Sequence, residues 1–420
     1  MNTFASTPAA RPQRSNADIA RDFIDLSFRM ESGREITTFT RFEAPIRVAM
    51  AGSVPASAPR EVAALVGRLR SEAQIDIAQT ADRASANVIV EFLPRSSLQA
   101  VVPQAACFVV PRVRSWDEFR AARNTARIDW TTLQTRDSII AFVPADVAPQ
   151  EIRDCLHEEL AQSLGPLNDL YHLSDSVFND DNFHTVLTGF DMLVLRATYA
   201  PELRSGMSRS EVAARLPAIL ARMNPGGQGA GSRMAGDTPR AWISAIETAL
   251  GPRTPDSARR AAAERALNIA QSLGWSDNRR AFSHFALARL SLAREVESSI
   301  MHFAEAARYY RALPGGGVHV AHVDMQMAAF ALSSGQFEEA LKLADRAIGP
   351  VQAAQNAALL STLKMIRAEA LTALGRDAEA RATRLDSLGW ARYGFGSEAQ
   401  VRGRMNEISA LSPGRSGFRG

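Results

Sequence analysis

Apolar residues recur at helical spacing over residues 16–30, where Ile19, Phe23, Leu26 and Met30 share one face behind cap-type residues. The same period over residues 60–70 places Val62, Leu65, Val66 and Leu69 together. Between and after these helices the pattern shortens. Residues 46–51 and 75–78 read as strands, and residues 86–93 (ANVIVEFL) are dense in β-branched side chains and stop at Pro94. Residues 106–110 (ACFVV) and 138–143 (SIIAFV) repeat that texture. The helical period then returns over residues 151–169 and stops at Gly165-Pro166, a glycine stop followed by a residue that cannot continue the helix. Residues 187–199 predict a further helix capped by Thr188, with Leu193, Leu195 and Tyr199 on its apolar face, and residues 210–223 another. Helices mixed with strands around one central helix make an α+β plan for residues 16–223.

Residues 224–238 are rich in Gly and Pro and nearly devoid of large apolar side chains, which marks a linker. Beyond it, residues 239–411 are alanine-rich and helical, without a strand pattern. Gly335-Gln336-Phe337-Glu338-Glu339-Ala340, with Ala328 before and Ala347 after, matches a tetratricopeptide repeat. Gly375, Ala380 and Ala368 repeat it, and residues 285–310 carry a looser copy around Ala288 and Ala307. Small residues at these places let paired helices approach closely and stack into an array whose concave face takes a protein or peptide partner; a generic helical array is the alternative. Residues 1–15 and 412–420 read as flexible tails.

At 420 residues the chain is long for one domain and comfortable for two. The 48 basic and 45 acidic residues are spread without a dense basic block, which argues against a nucleic-acid partner. No apolar run reaches membrane-spanning length, and the N-terminal residues lack the apolar segment of a signal peptide. Two cysteines, Cys107 and Cys155, are either buried thiols or a disulfide tying a strand to the central helix.

The central helix carries the candidate chemistry. Residues 158–168 have the skeleton of the zinc-peptidase motif HExxHxxGxxH, with Glu158, Gln162 and Asn168 at the three histidine positions. Glu159 stands at the general-base position and Gly165 at the turn, where a glycine would let the chain reverse. Residues four apart share a helix face, so Glu158 and Gln162 point the same way. One carboxylate and two amides are a poor zinc set. Asp169 or His172 would have to add a ligand, with His184 approaching from a loop; His157 points about 100° away around the helix. The leading expectation is a metal-free network, with the amides of Gln162 and Asn168 satisfying a buried Glu159. The alternative is a bound zinc with Glu159 activating water. Elsewhere, Asp180-Asp181-Asn182 reads as a solvated turn, and His319 and His322, on one helical face, as ordinary packing or surface.

Cys155, Glu158-Glu159, Gln162, Leu164-Gly165, Asn168-Asp169, Ser176-Val177-Phe178-Asn179-Asp180, Leu187-Thr188, Asp191, Leu195-Arg196, Tyr199 and Gly206-Met207 together resemble domain-of-unknown-function family 2927, over roughly half the chain. That family is in turn similar to the metzincin zinc peptidases in degenerate form. The resemblance implies a metzincin-like fold in which Ser176, Phe178 and Asn179 form the turn below the site, Phe178 replacing a methionine. It also implies a periplasmic or secreted location and no assured activity. The expectation is a pseudo-peptidase domain joined to a protein-binding helical array, with no cofactor; the alternative is an active metallopeptidase with Glu159 as general base.

Overall fold

The structure is a computed structural model that describes residues 2–4, 8–103, 105–229, 231, 236–251, 254–292 and 294–413. Helix α1 (Asn16–Ser27) starts where the Ser15 side chain accepts from the Asp18 N–H, and it buries Ile19, Phe23 and Leu26. There follow β1 (Ile46–Gly52), α2 (Ala58–Ser71), β2 (Ile77–Gln79), β3 (Val88–Leu93), α3 (Arg95–Val101), β4 (Phe108–Pro111), α4 (Trp116–Ala122) and β5 (Ile139–Pro144). The five strands form one sheet in the order β2-β1-β3-β5-β4. All neighbours are parallel except β4, which runs antiparallel to β5 with Phe108 opposite Phe142. The central strands β3 and β5 are buried along almost their whole length, because helices cover both faces of the sheet.

Helices α3 and α4 have no counterpart in the sequence pattern. Each is seven residues long, too short to display a hydrophobic period.

Helix α5 (Pro149–Leu164) follows β5, with Pro149 at its first position where no N–H is missed. Its stop at Gly165 does not use the freedom expected of a glycine. Gly165 has φ −175°, ordinary extended backbone; a Cβ there would lie 2.9 Å from Thr198 Cγ2, so close packing is what requires the glycine. Thr198 ends α6 (Gly189–Thr198), which opens with a reciprocal capping box between Thr188 and Asp191. Helix α7 (Arg209–Met223) completes this half against α1.

The second half is all helix: α8 (Arg240–Leu250), α9 (Asp256–Ser272), α10 (Asn278–Ser291), α11 (Val296–Arg311), α12 (Gly317–Ser333), α13 (Phe337–Ala353), α14 (Ala357–Ala373), α15 (Asp377–Phe395) and α16 (Glu398–Ser409). From α12 to α15 the helices start at 317, 337, 357 and 377, one every 20 residues. The three intervening turns are built alike. Gly335, Gln355 and Gly375 take φ of 74°, 56° and 74°, and each donates to the carbonyl three residues back while its successor donates to the carbonyl five back. Ala328, Ala340, Ala347, Ala368 and Ala380 are all buried, as close helix packing requires. The region is therefore a repeat-like helical array.

The two halves share a core. Tyr171 and Phe183 of the first half are buried in one cluster with Trp242, Phe282, Phe285, Phe303 and Tyr310 of the second. The N-terminal segment is also held, contrary to the expected loose tail. Arg14 reaches Asp22 and Asp175, and a Cβ on Gly189 would collide with the Ala10 carbonyl. Of the expected linker, Asn224 bonds Asn16 and the Gly236 carbonyl accepts from Arg279; residues 230 and 232–235 lie outside the described residues. In the expected C-terminal tail, residues 414–420 lie outside them too.

Candidate functional site

The motif helix α5 is anchored at both ends and along one flank. At its C-terminus the buried Arg136 guanidinium donates to the carbonyls of Gln162 (2.6 Å), Ser163 (2.8 Å) and Gly165 (2.5 Å). A cation there satisfies carbonyls that a helix end leaves free and suits the negative end of the helix dipole. Burial pulls the Arg136 pKa down to about 10, so it still carries its charge at neutral pH. At the N-terminal end Gln150 bonds Asn356, and Arg153 donates to the Gln355 carbonyl, in the turn between α13 and α14. On the flank, a disulfide joins Cys155 to Cys107 just before β4, with the two Cα atoms 5.9 Å apart.

Glu158 and Glu159 lie three and four residues after Cys155, one helical turn along the same flank. The Cys107 sulfur and one carboxylate oxygen each of Glu158 and Glu159 lie within 4.8 Å of one another. Glu159 is 3% exposed, and its Oε2 is buried without a hydrogen-bond partner. Burial, then Glu158 and Glu31, hold the Glu159 carboxyl well above the usual range. Burial, then Asp180, Glu31 and Asp154, push Glu158 up to about 8. Asp169 is raised by burial and then by Asp180, and Asp180 reaches about 7 through burial and Glu31. These carboxyls form one interacting acidic group that retains protons near neutral pH.

The expected amide network is not formed. Asn168 donates its amide to the Asp25 carbonyl (3.0 Å), leaving Glu159 Oε2 unpartnered. His172 is committed to Asp22 at 2.9 Å. His157 faces away and accepts from the Leu187 N–H, and His184 bonds the Ser174 carbonyl. Asn168 and His172 are therefore both turned to α1 and engaged there. Asp169 does line a cleft of about 150 Å³ with Glu31, Tyr171, His172 and Arg240, but Glu158 and Glu159 are not among its lining residues.

Below the site, Phe178 is fully buried and the turn around it is fastened to α6. Asp191 accepts from Ser176 Oγ (2.5 Å) and from the N–H groups of Val177 (3.1 Å) and Thr188 (2.7 Å). Asn179 donates to the Leu173 carbonyl and to Asp181.

Residues 16–218 match the sequence model of a family described as protein of unknown function, DUF2927. No curated protein and no solved structure matches the chain.

The matched region ends within α7, yet contacts that fix its site loop come from outside it. Asp181 was expected in a solvated turn; it is 8% exposed and accepts from Asn278 of α10 (2.7 Å) and pairs with His319 of α12 (3.2 Å). His319 and His322 pack around Phe183, so they belong to the seam between the halves. Glu31, Arg136 and Asp154 also shape the site. Glu31 and Arg136 lie far from the motif in the chain, and Asp154 sits one turn before Glu158 on the same face, ahead of the span that the motif covers. Chemically, the group can share protons or exchange them for a cation. A general base must start deprotonated, and the burial of Glu159 opposes that.

Proposed function

We propose that this chain is a non-catalytic binding protein. Its first half is a metzincin-like pseudo-peptidase domain, and its second a tetratricopeptide-like array that holds a protein or peptide partner in the periplasm or outside the cell. The observation that carries this reading is the burial of Glu159. Glu159 is buried beside the Cys107–Cys155 bridge, the Asn168 amide is turned away to Asp25, and the neighbouring cleft does not reach Glu159. At 3% exposure the one group that would activate water presents almost no surface to a peptide bond. The order of motif helix, buried Ser176–Asn179 turn and α6 supports the metzincin-like part of the reading. The disulfide supports an oxidising compartment. Val296, Ile300 and Met301, exposed along α11, are apolar side chains on which a partner would gain contact area.

The unpartnered Oε2 of Glu159 favours a second reading, an active metallopeptidase with Glu159 as base. The test is to incubate the disulfide-bonded chain and a Glu159→Ala variant with unfolded protein substrates and divalent metal. Equal absence of cleavage is expected. Cleavage by the parent chain, lost in the variant, would overturn the proposal.

A further inference from the structure

We infer that the Cys107–Cys155 disulfide gates a zinc-class cation site, made by Cys107, Glu158 and Glu159 and completed only when the bridge is reduced. Three facts carry this. The sulfur of Cys107 and one oxygen from each glutamate are mutually within 4.8 Å, and among the described residues this is the set of three metal-ligating groups that converges so closely. A point within about 2.8 Å of all three atoms therefore exists, and small side-chain adjustments bring that to zinc's bond lengths of about 2.0–2.3 Å. Glu159 Oε2 is buried and has no hydrogen-bond partner, although buried carboxylate oxygens ordinarily have one. Third, Cys107 is partly exposed while Cys155 is buried, so a reductant reaches the Cys107 side of the bridge.

In the bridged state the Cys107 sulfur is bonded to carbon and sulfur and is a poor ligand; the thiolate is the form that binds metal. A dithiol supplies the two electrons. It becomes a cyclic disulfide, the Cys107–Cys155 bond breaks, and its two protons pass to the two protein sulfurs. Cation binding then displaces the proton from the Cys107 thiol and any proton on the glutamates to solvent. One thiolate and two carboxylates are three protein ligands with a position left for water, and the sulfur favours zinc over magnesium or calcium. Glu159 acts here as a ligand, so this site does not rest on the peptidase comparison.

The experiment uses full-length chain, oxidised or reduced with a phosphine (one water and one phosphine per bridge, yielding phosphine oxide and two thiols). Cobalt is the optical probe and zinc the competitor. Reduced parent chain and Cys155→Ser are expected to take up one cobalt with thiolate-to-cobalt absorption, displaced by zinc. Oxidised parent chain and Cys107→Ser should show no such band and bind at least 100-fold more weakly. Both serine variants lack the bridge, so their comparison separates ligand loss from bridge loss. Glu159→Gln, which keeps the bridge for folding, should bind at least tenfold more weakly once reduced. Absence of the band in the reduced parent, or equal cobalt binding by the two serine variants, would overturn the site. Peptide cleavage by the reduced, zinc-loaded chain would overturn the non-catalytic reading and leave the site standing.

Discussion

At the scale of single residues, buried carboxylates set the character of the site, and they do so in two ways. Asp191 is fully buried and repays its burial by accepting three hydrogen bonds. Asp191→Ala would leave those donors unsatisfied below the site, and we expect a loss of about 3–5 kcal/mol in urea unfolding. A loss below about 1 kcal/mol would mean that the turn is held by something else. Glu158, Asp180 and Asp154 are raised to about 8, 7 and 7 by burial. A raised carboxyl stabilises the fold fully below its ordinary pKa, and that contribution is lost as pH rises through the folded value. His184 and His322, lowered by burial to about 4 and 3, act in the opposite sense and cost stability as pH falls below about 6.5. Glu158→Gln should therefore flatten the decline in urea midpoint between about pH 4.5 and pH 8 and leave the acid limb unchanged. An unaltered decline would exclude Glu158 as a contributor.

At the scale of elements, α5 is positioned by what grips its ends. Arg136, three residues before β5 begins, binds three carbonyls at the end of the helix that follows. Arg136→Leu removes all three bonds and should lower stability by about 2–4 kcal/mol, with Arg136→Lys recovering only part because an ammonium lacks the planar fork. Full recovery by lysine would reduce the role to charge alone. The strands were legible from their β-branched runs and the long helices from their apolar period, with Thr188 capping where the pattern of α6 begins; the caps Ser15 and Ser208 come from the structure. The helical repeat was legible from Gly335 and Gly375 together with the small residues set around them, Ala328, Ala340, Ala347, Ala368 and Ala380. The intermediate turn at Gln355 was not, since a non-glycine in the left-handed region leaves no compositional mark.

At the scale of the whole molecule, the halves are one cooperative object. Tyr171 and Phe183 sit in the helical half's aromatic core, and Gln150, Arg153 and Asp181 bond across the seam. Calorimetry should show a single unfolding transition, because opening either half exposes the aromatic cluster that both build. Two resolved transitions would refute the shared core. The sequence by itself determined the α+β half, the alanine-rich helical half and the place of the motif helix, because local period, caps and breakers act within a few turns of chain. It also brought Glu158 and Glu159 together with Cys155, since spacing along one helix is a local fact. Only the tertiary structure decided that Cys107 meets them, that Asn168 turns to Asp25, that Glu31 and Asp180 add their fields, and that Asp181 is buried under α10 and α12. Those outcomes depend on which surfaces exclude water together, and burial across long sequence separations leaves no periodic trace in the chain.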